Sequence, residues 1–305
     1  MRIIRDDLNI DFLGKRKFAY ALSAALILAG VVAFFVRGGL NYGIDFNGGT
    51  IVQIQFEDAH DIGEIRTTLA NGLSESFSLQ AFGDVEENEF LITVGQADVL
   101  ESGPGEGVAQ QVQDVLRERY PNFTVRRVES VGPRVGEELK IAASQAILFS
   151  LVAILLYIWL RFQWHYSIGA IVALLHDVLI VLAAFAATQK EVTLPVVAAV
   201  LTVAGYSIND TIVIFDRIRE NFRRYQKKSA DDIINESVNQ TLSRTLLTSG
   251  TTLFVLFSIF LFGGEIINDF AFALLVGVVA GTYSSVFVAA PVFFALRQAY
   301  PQKLK

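Results

Sequence analysis

The stretch Lys15-Arg16-Lys17-Phe18-Ala-Tyr-Ala-Leu-Ser-Ala-Ala-Leu-Ile-Leu-Ala-Gly-Val-Val-Ala-Phe-Phe-Val36-Arg37 decides the class of this protein. Its apolar run, Phe18 to Val36, rises about 1.5 Å per residue as a helix and spans most of a roughly 30 Å hydrocarbon layer. The run leaves through Arg37-Gly38-Gly39 and not through a small-x-small cleavage site, so it reads as a retained span and not as a signal peptide. Five further runs follow, at about 139–160, 167–188, 193–216, 245–263 and 270–296. With 52% hydrophobic and only 18% charged residues among 305, the chain reads as a polytopic α-helical membrane protein with six transmembrane helices.

Six spans put both termini on one side, and the basic residues say which. They gather at Arg2, Arg5 and Lys15–Lys17, at Arg161, from Arg217 to Lys228, and at Arg297, Lys303 and Lys305. All of these fall on one face, which the positive-inside rule makes cytoplasmic. The expected order is therefore a cytoplasmic N-terminus (1–17), helix 1 (18–36), a periplasmic domain (37–138), helices 2–6 (139–296) with a cytoplasmic loop at 217–244, and a cytoplasmic C-terminus (297–305). The exported segment carries 18 Asp and Glu against 7 Lys and Arg.

Within that segment, Thr50–Glu57 alternates as a strand and 61–73 has helical spacing through Ile62, Ile65 and Leu69. Ser76–Phe82 and Glu89–Val94 read as strands around a Glu86-Glu87-Asn88 turn. A helix over 105–119 and a last strand at Phe123–Val131 complete the order β-α-β-β-α-β, which is that of a ferredoxin-like α+β unit. On the cytoplasmic side, Ser229 caps a helix whose first turn holds Asp231 and Asp232, and whose polar face (Asn235, Glu236, Asn239, Gln240) suits a helix lying at the membrane surface before span five.

A charge at mid-span costs about 2.5–3.5 kcal/mol on insertion scales, so ionisable residues in the apolar runs are the first candidates for function. Asp210 lies about 25 Å along span four from Thr193. It ends a stripe of Ala198, Thr202 and Tyr206, with Ser207 and Asn209 as flanking hydrogen-bonding groups. Low dielectric disfavours a bare carboxylate, so such a group takes up an ion, finds a partner, or reaches interfacial water. Arg244 opens span five with Thr248 one turn on; it reads either as a snorkelling arginine or as the partner of Asp210. His176 and Asp177 lie midway through span three. Side chains adjacent on a helix diverge by about 100°, so the two are not expected to pair with each other, and proton handling or helix docking competes with simple packing. Gly277, Gly281 and Ser285 continue a four-residue small stripe from Ala273, a seam for close helix contact. Asp216-Arg217 reads as an interfacial salt bridge, and the run Arg217–Lys228 as positive-inside charge with anionic membrane lipid as a lesser partner. Gly48 and Gly49, and Gly132 and Gly136, bracket the exported domain as turns or hinges.

The exclusions are informative. With no cysteine, disulfides, thiolate metal sites and a cysteine nucleophile are out, and a net charge of −6 argues against nucleic acid. His60, His165 and His176 are scattered, and no phosphate loop, H-E-x-x-H pair or G-x-S-x-G elbow occurs. Any energy therefore comes from an ion gradient and not from nucleotide hydrolysis in this chain; no enzyme activity, cofactor or metal is expected.

Taken in order, Gly43-Ile-Asp-Phe-Asn-Gly-Gly49, Val131-Gly-Pro-Arg-Val-Gly136, His176-Asp177, Gly205-Tyr-Ser-Ile-Asn-Asp210, Asp216-Arg-Ile-Arg-Glu-Asn221, Arg244-Thr-Leu-Leu-Thr-Ser249 and Gly281-Thr-Tyr-Ser-Ser285 resemble the SecD/SecF family of the resistance-nodulation-division transporter superfamily. The resemblance runs through nearly the whole chain. It implies that Asp210 and Arg244 match the family's carboxylate and arginine implicated in proton conduction. It also implies a SecD partner with a similar bundle, association with the SecYEG channel, YajC and YidC, and a domain that holds translocating polypeptide while protons cross. The coupling ion is H⁺ or Na⁺, since one carboxylate among hydroxyls serves either. Two rivals stand beside this reading. One is half of a proton-driven small-molecule or lipid exporter; the other is a passive assembly subunit whose ionisable residues only dock helices.

Overall fold

A computed structural model of the chain describes residues 10–83, 87–95 and 106–300. Arg2, Arg5, Lys303, Lys305, Glu86 of the expected turn and Gly105 at the expected helix start lie outside the described residues. Among the described residues six helices are long and apolar enough to cross a membrane: α1 (Arg16–Val36), α5 (Pro133–Arg161), α6 (Trp164–Thr188), α7 (Leu194–Arg224), α8 (Ala230–Phe262) and a last, composite one over Ile267–Ala299. The composite helix is α9 (Glu265–Ser284), a π-helical turn (Ser285–Ala289) and α10 (Ala290–Ala299). Pro291, in the first turn of α10, has no N–H to give and crowds the turn before it, which accounts for a register change there.

The domain between α1 and α5 begins with the short α2 (Ile44–Asn47), followed by β1 (Gly49–Phe56), α3 (Ile62–Gly72), β2 (Phe77–Phe82), β3 (Glu89–Val94), α4 (Glu106–Arg117) and β4 (Phe123–Val131). All neighbouring strands are antiparallel in the order β2-β3-β1-β4, with a register shift between Gln53 and Ile54. Val52, Ile54 and Phe56 alternate inward with Phe90, Ile92, Val94 and Leu79, and meet Ile65 and Leu69 of α3 and Val112 and Leu116 of α4. Each such burial contributes about 1.5–3 kcal/mol, which matters in a domain without disulfides. Ile51 and Gln53 point the other way, into a crevice of about 740 Å³ between the sheet and the ends of the helices.

At that end of the bundle the linker before β1 is stitched to the α6–α7 loop. Gly43 N donates to Val192 O (3.0 Å) and Val192 N to Asn41 O (2.7 Å). Lys190 pairs with Asp269 at 2.6 Å, beside Glu191. Burial, then Asp269 and Asp45, push the Glu191 carboxyl above its ordinary range. A carboxyl that is easier to protonate folded than unfolded opposes folding when ionised, so its stability contribution falls as pH rises through that raised value. Glu191→Gln is therefore expected to raise the thermal midpoint at neutral pH. The gain should vanish in acid, where the parent side chain is neutral too; unfolding followed across pH checks both.

At the opposite end two expectations are corrected. The capped segment after Ser229 is not a separate surface helix: α8 runs unbroken for 33 residues. No glycine or proline interrupts its first four turns, and Ile233, Ile234 and Val238 bury against the bundle instead of against a membrane surface. Its Asn235 and Asn239 hold the segment before α1: Asn235 Oδ1 accepts from Phe12 N and Leu13 N, both at 3.0 Å, and Asn239 exchanges two hydrogen bonds with the Ile10 backbone. Asp216 and Arg217 do not pair with each other. Asp216 meets Arg161 across helices at 3.4 Å and Arg217 meets Glu220 one turn on at 2.9 Å, since adjacent positions diverge and i,i+3 positions converge.

Candidate functional site

Two carboxylates lie near the midpoints of α6 and α7, and the composite last helix serves both. Asp177 is fully enclosed, at 0% exposure. Its Oδ2 accepts from Ser207 Oγ of α7 (2.5 Å) and Ser284 Oγ of α9 (2.8 Å), and its Oδ1 lies 2.9 Å from His176 Nδ1. The expectation that His176 and Asp177 do not form a local pair is thus corrected. The imidazole bridges the angle between them because it is held lengthwise: Tyr283 stacks on it with centroids 5.9 Å apart, and Nε2 lies 3.0 Å from Ser23 Oγ of α1. Ser23 Oγ donates to Tyr283 Oη at 3.2 Å, and Tyr283 Oη donates to Ala19 O at 2.7 Å.

Asp210 receives Thr245 Oγ1 of α8 on Oδ1 (2.7 Å) and Ser285 Oγ on Oδ2 (2.9 Å). Adjacent serines therefore reach different acids, Ser284 to Asp177 and Ser285 to Asp210, at the point where the helix passes from α to π hydrogen bonding. Ser285 belongs to this site and not only to a packing seam. Asp210 keeps 9% of its surface exposed, so it is the more accessible of the two acids.

The other anticipated partners fall elsewhere. Arg244 makes no hydrogen bond or ion pair to Asp210 among the described residues; its side chain is exposed, and its charge acts on the carboxylate only from a distance. Thr245, one position along α8, has the inward place, because neighbours on a helix face different ways. Ser207 serves Asp177 and not Asp210, and Asn209 is exposed. Tyr206 Oη donates to Thr252 Oγ1 at 3.3 Å, while Thr248 bonds back to its own helix at Arg244 O. The small stripe packs as its spacing requires: a Cβ on Gly277 would sit 2.2 Å from Val203, and one on Gly281 2.9 Å from the Ser207 Cβ. Gly281 thereby sets the α7–α9 separation at which Ser207 and Ser284 reach one carboxylate. Gly132 is the extended residue before α5, and Gly136 lies inside α5 against the 46–48 backbone, so Gly136 serves close contact and not a turn.

Ser23, Thr245, Ser284 and Tyr283 complete the site without having been singled out. Ser23 is the lone serine in the apolar run Phe18–Val36, and that isolation was the available signal. Thr245, Tyr283 and Ser284 lie beside Arg244 and Ser285 inside recognisable motifs.

Two interleaved acids in a six-helix bundle, with a small α+β domain between its first and second spans, define a polytopic membrane subunit with a buried polar centre. Comparison with known proteins gives the family. Residues 111–299 match "Protein export membrane protein SecD/SecF, C-terminal", and residues 32–59 match the SecD/SecF GG motif. The chain is 43% identical over 301 residues to the protein translocase subunit SecF of Calditerrivibrio nitroreducens, covering 97% of each. It is 45% identical to that of Desulfurispirillum indicum (95% of this chain, 93% of the relative) and 44% identical to that of Vibrio alginolyticus (94% and 90%). A crystal structure of SecDF from Thermus, described as a translocon-associated membrane protein, superposes with a TM-score of 0.83 at 33% identity. That match covers 97% of this chain but 40% of the SecDF chain. SecDF in a super-membrane-facing form matches at 0.70 and 34% identity, over 96% of this chain and 39% of the other. The chain belongs to the SecD/SecF family and is a multi-pass protein of the bacterial inner membrane that serves Sec-dependent protein export.

Proposed function

We propose that this subunit, with a SecD partner, uses the proton motive force to drive or complete polypeptide translocation, and that Asp210 is the group that takes up and releases the ion. The observation that carries this is a buried carboxylate held by two hydroxyls and by no cation within hydrogen-bonding distance among the described residues. Two charge-assisted hydrogen bonds at about 1.5–3 kcal/mol each offset part of the cost of burying the carboxylate. Hydroxyls also suit either form, because each can donate to a carboxylate or accept from a carboxylic acid. H⁺ is the coupling ion of this reading; Na⁺ would use the same oxygens.

The His176–Asp177 pair supports the same reading. Ser23 Oγ, which donates to Tyr283 Oη, offers its acceptor side to His176 Nε2, so His176 and Asp177 form one hydrogen-bonded pair in reach of α1, α7 and α9. In this reading the pair serves as a relay beside the exchanging acid. The chain acts without catalysis or cofactor.

Arg244, Thr248, Thr251, Thr202 and Asn209 are exposed on α7 and α8. Polar groups at membrane depth face protein or water rather than lipid, so this face suits a partner bundle, and the length of the SecDF chain fits a second one. SecD is that partner, and SecYEG, YajC and YidC are the wider assembly. The strand order β2-β3-β1-β4 suits a ferredoxin-like unit, and the basic ends of the helices suit a periplasmic domain with cytoplasmic termini. Arg244→Met, at normal membrane levels with its partner bound, is expected to reduce export to the level seen with the gradient collapsed. Full gradient-dependent export in that variant would remove Arg244 from the ion path, and the same result for Asp210→Asn would overturn the proposal.

A further inference from the structure

The helix that carries Asp210 begins with a cap it does not own. Thr193, the residue before α7, makes no side-chain cap, and Pro195 follows in the first turn. The amide of Leu194 instead donates to Asp45 Oδ2 at 2.8 Å, across 149 residues of sequence. Asp45 lies in α2, in the linker before the sheet, and a carboxylate there also meets the positive end of the α7 dipole. The two linker–loop bonds through Val192 flank this contact, and Asn41 Nδ2 adds a third to Gln189 O at 3.0 Å.

On its other side α2 is built rigidly into the domain. Gly48 and Gly49, with φ of 72° and 142°, turn the chain directly into β1, and a Cβ on Gly49 would lie 2.7 Å from Val94 O of β3. Gly136 of α5 lets the helix rest on the 46–48 backbone, where a Cβ would stand 3.0 Å from Phe46 O. The α6–α7 loop is fastened from the far side as well, by Asp269 at the start of α9, which accepts from Glu191 N at 2.9 Å. Helices α7 and α9 thus both reach the loop that the domain's linker grips.

We infer that Asp45 is the clip through which α7 and the sheet domain move as one body, a positioning residue that transmits a displacement of the Asp210 helix to the domain. The inference rests on the reading of Asp210 as the exchanging acid. An ordinary helix cap would also stabilise α7, but it would not require the acceptor to sit on the domain's linker.

The chain has no cysteine, so a pair introduced across the bridge between Tyr42 and Val192 forms a single defined crosslink. The test uses the full chain with its partner in inverted membrane vesicles, normalised to subunit content. Asp45→Ala is expected to lose gradient-dependent export and Asp45→Asn, which keeps an acceptor oxygen, to retain most of it. Adding Tyr42→Cys and Val192→Cys to Asp45→Ala should restore export under oxidation and lose it again under reductant. Parent-like export by Asp45→Ala, or no rescue by the oxidised crosslink, would overturn the clip. Asp210→Asn measured alongside separates the two ideas: export that needs Asp45 but not Asp210 upholds the clip and removes the ion reading.

Discussion

Asp210→Asn is expected to abolish the gradient-dependent part of export while the subunit still inserts and binds its partner. The amide has the carboxylate's shape. Its oxygen accepts from Thr245, and its NH₂ donates to Ser285 Oγ, whose own proton turns to Thr282 O, 3.0 Å away. Both hydroxyls keep a partner, so the bundle has no reason to open. What the amide lacks is the capacity to bind a proton or sodium ion. Asp210→Ala differs, since it leaves the Thr245 and Ser285 hydroxyls without their acceptor, at about 1–3 kcal/mol each. Export measured with and without the gradient, beside copurification of the partner, distinguishes a functional loss from a structural one.

The second large effect falls on Asp177. Three groups on three elements converge there: His176 of α6, Ser207 of α7 and Ser284 of α9. Asp177→Ala strands all of them in a sealed site, each at about 1–3 kcal/mol, so the thermal midpoint in detergent should drop by more than for any substitution at Asp210. Asp177→Asn keeps an oxygen for the two serines and presents its NH₂ to His176 Nδ1, which fixes the imidazole proton on Nε2. That variant should fold like the parent and still lose gradient-dependent export, because the pair no longer holds a transferable proton. Parent-like export by Asp177→Asn would reduce Asp177 to a packing hub.

The six spans were legible because lipid demands long apolar runs, a signal stronger than any local propensity. The domain's strands and helices were legible for a related reason: one buried face imposes period two on β1 and β3, and helical spacing on α3 and α4. Asp210 and Asp177 stood out as charges in apolar runs. Their pairings did not, because hydroxyls are common in membrane helices and which one faces inward depends on helix rotation. Arg244 drew the eye as the opposite charge, yet its neighbour Thr245 has the inward position. The π turn at Ser285 rests on Pro291, two turns' influence that no periodicity reveals. Asp45 was read only within a glycine-rich turn, since a cap supplied from 149 residues away leaves no mark in local sequence.

Infrared difference spectra of the intact complex in membranes, recorded as pH is stepped and again in deuterated buffer, test the central claim most directly. The account predicts a carboxylic-acid carbonyl band that appears and vanishes with pH, shifts on deuteration and is missing in Asp210→Asn. A pH-invariant spectrum in that region, or a band identical in parent and Asp210→Asn, would contradict it.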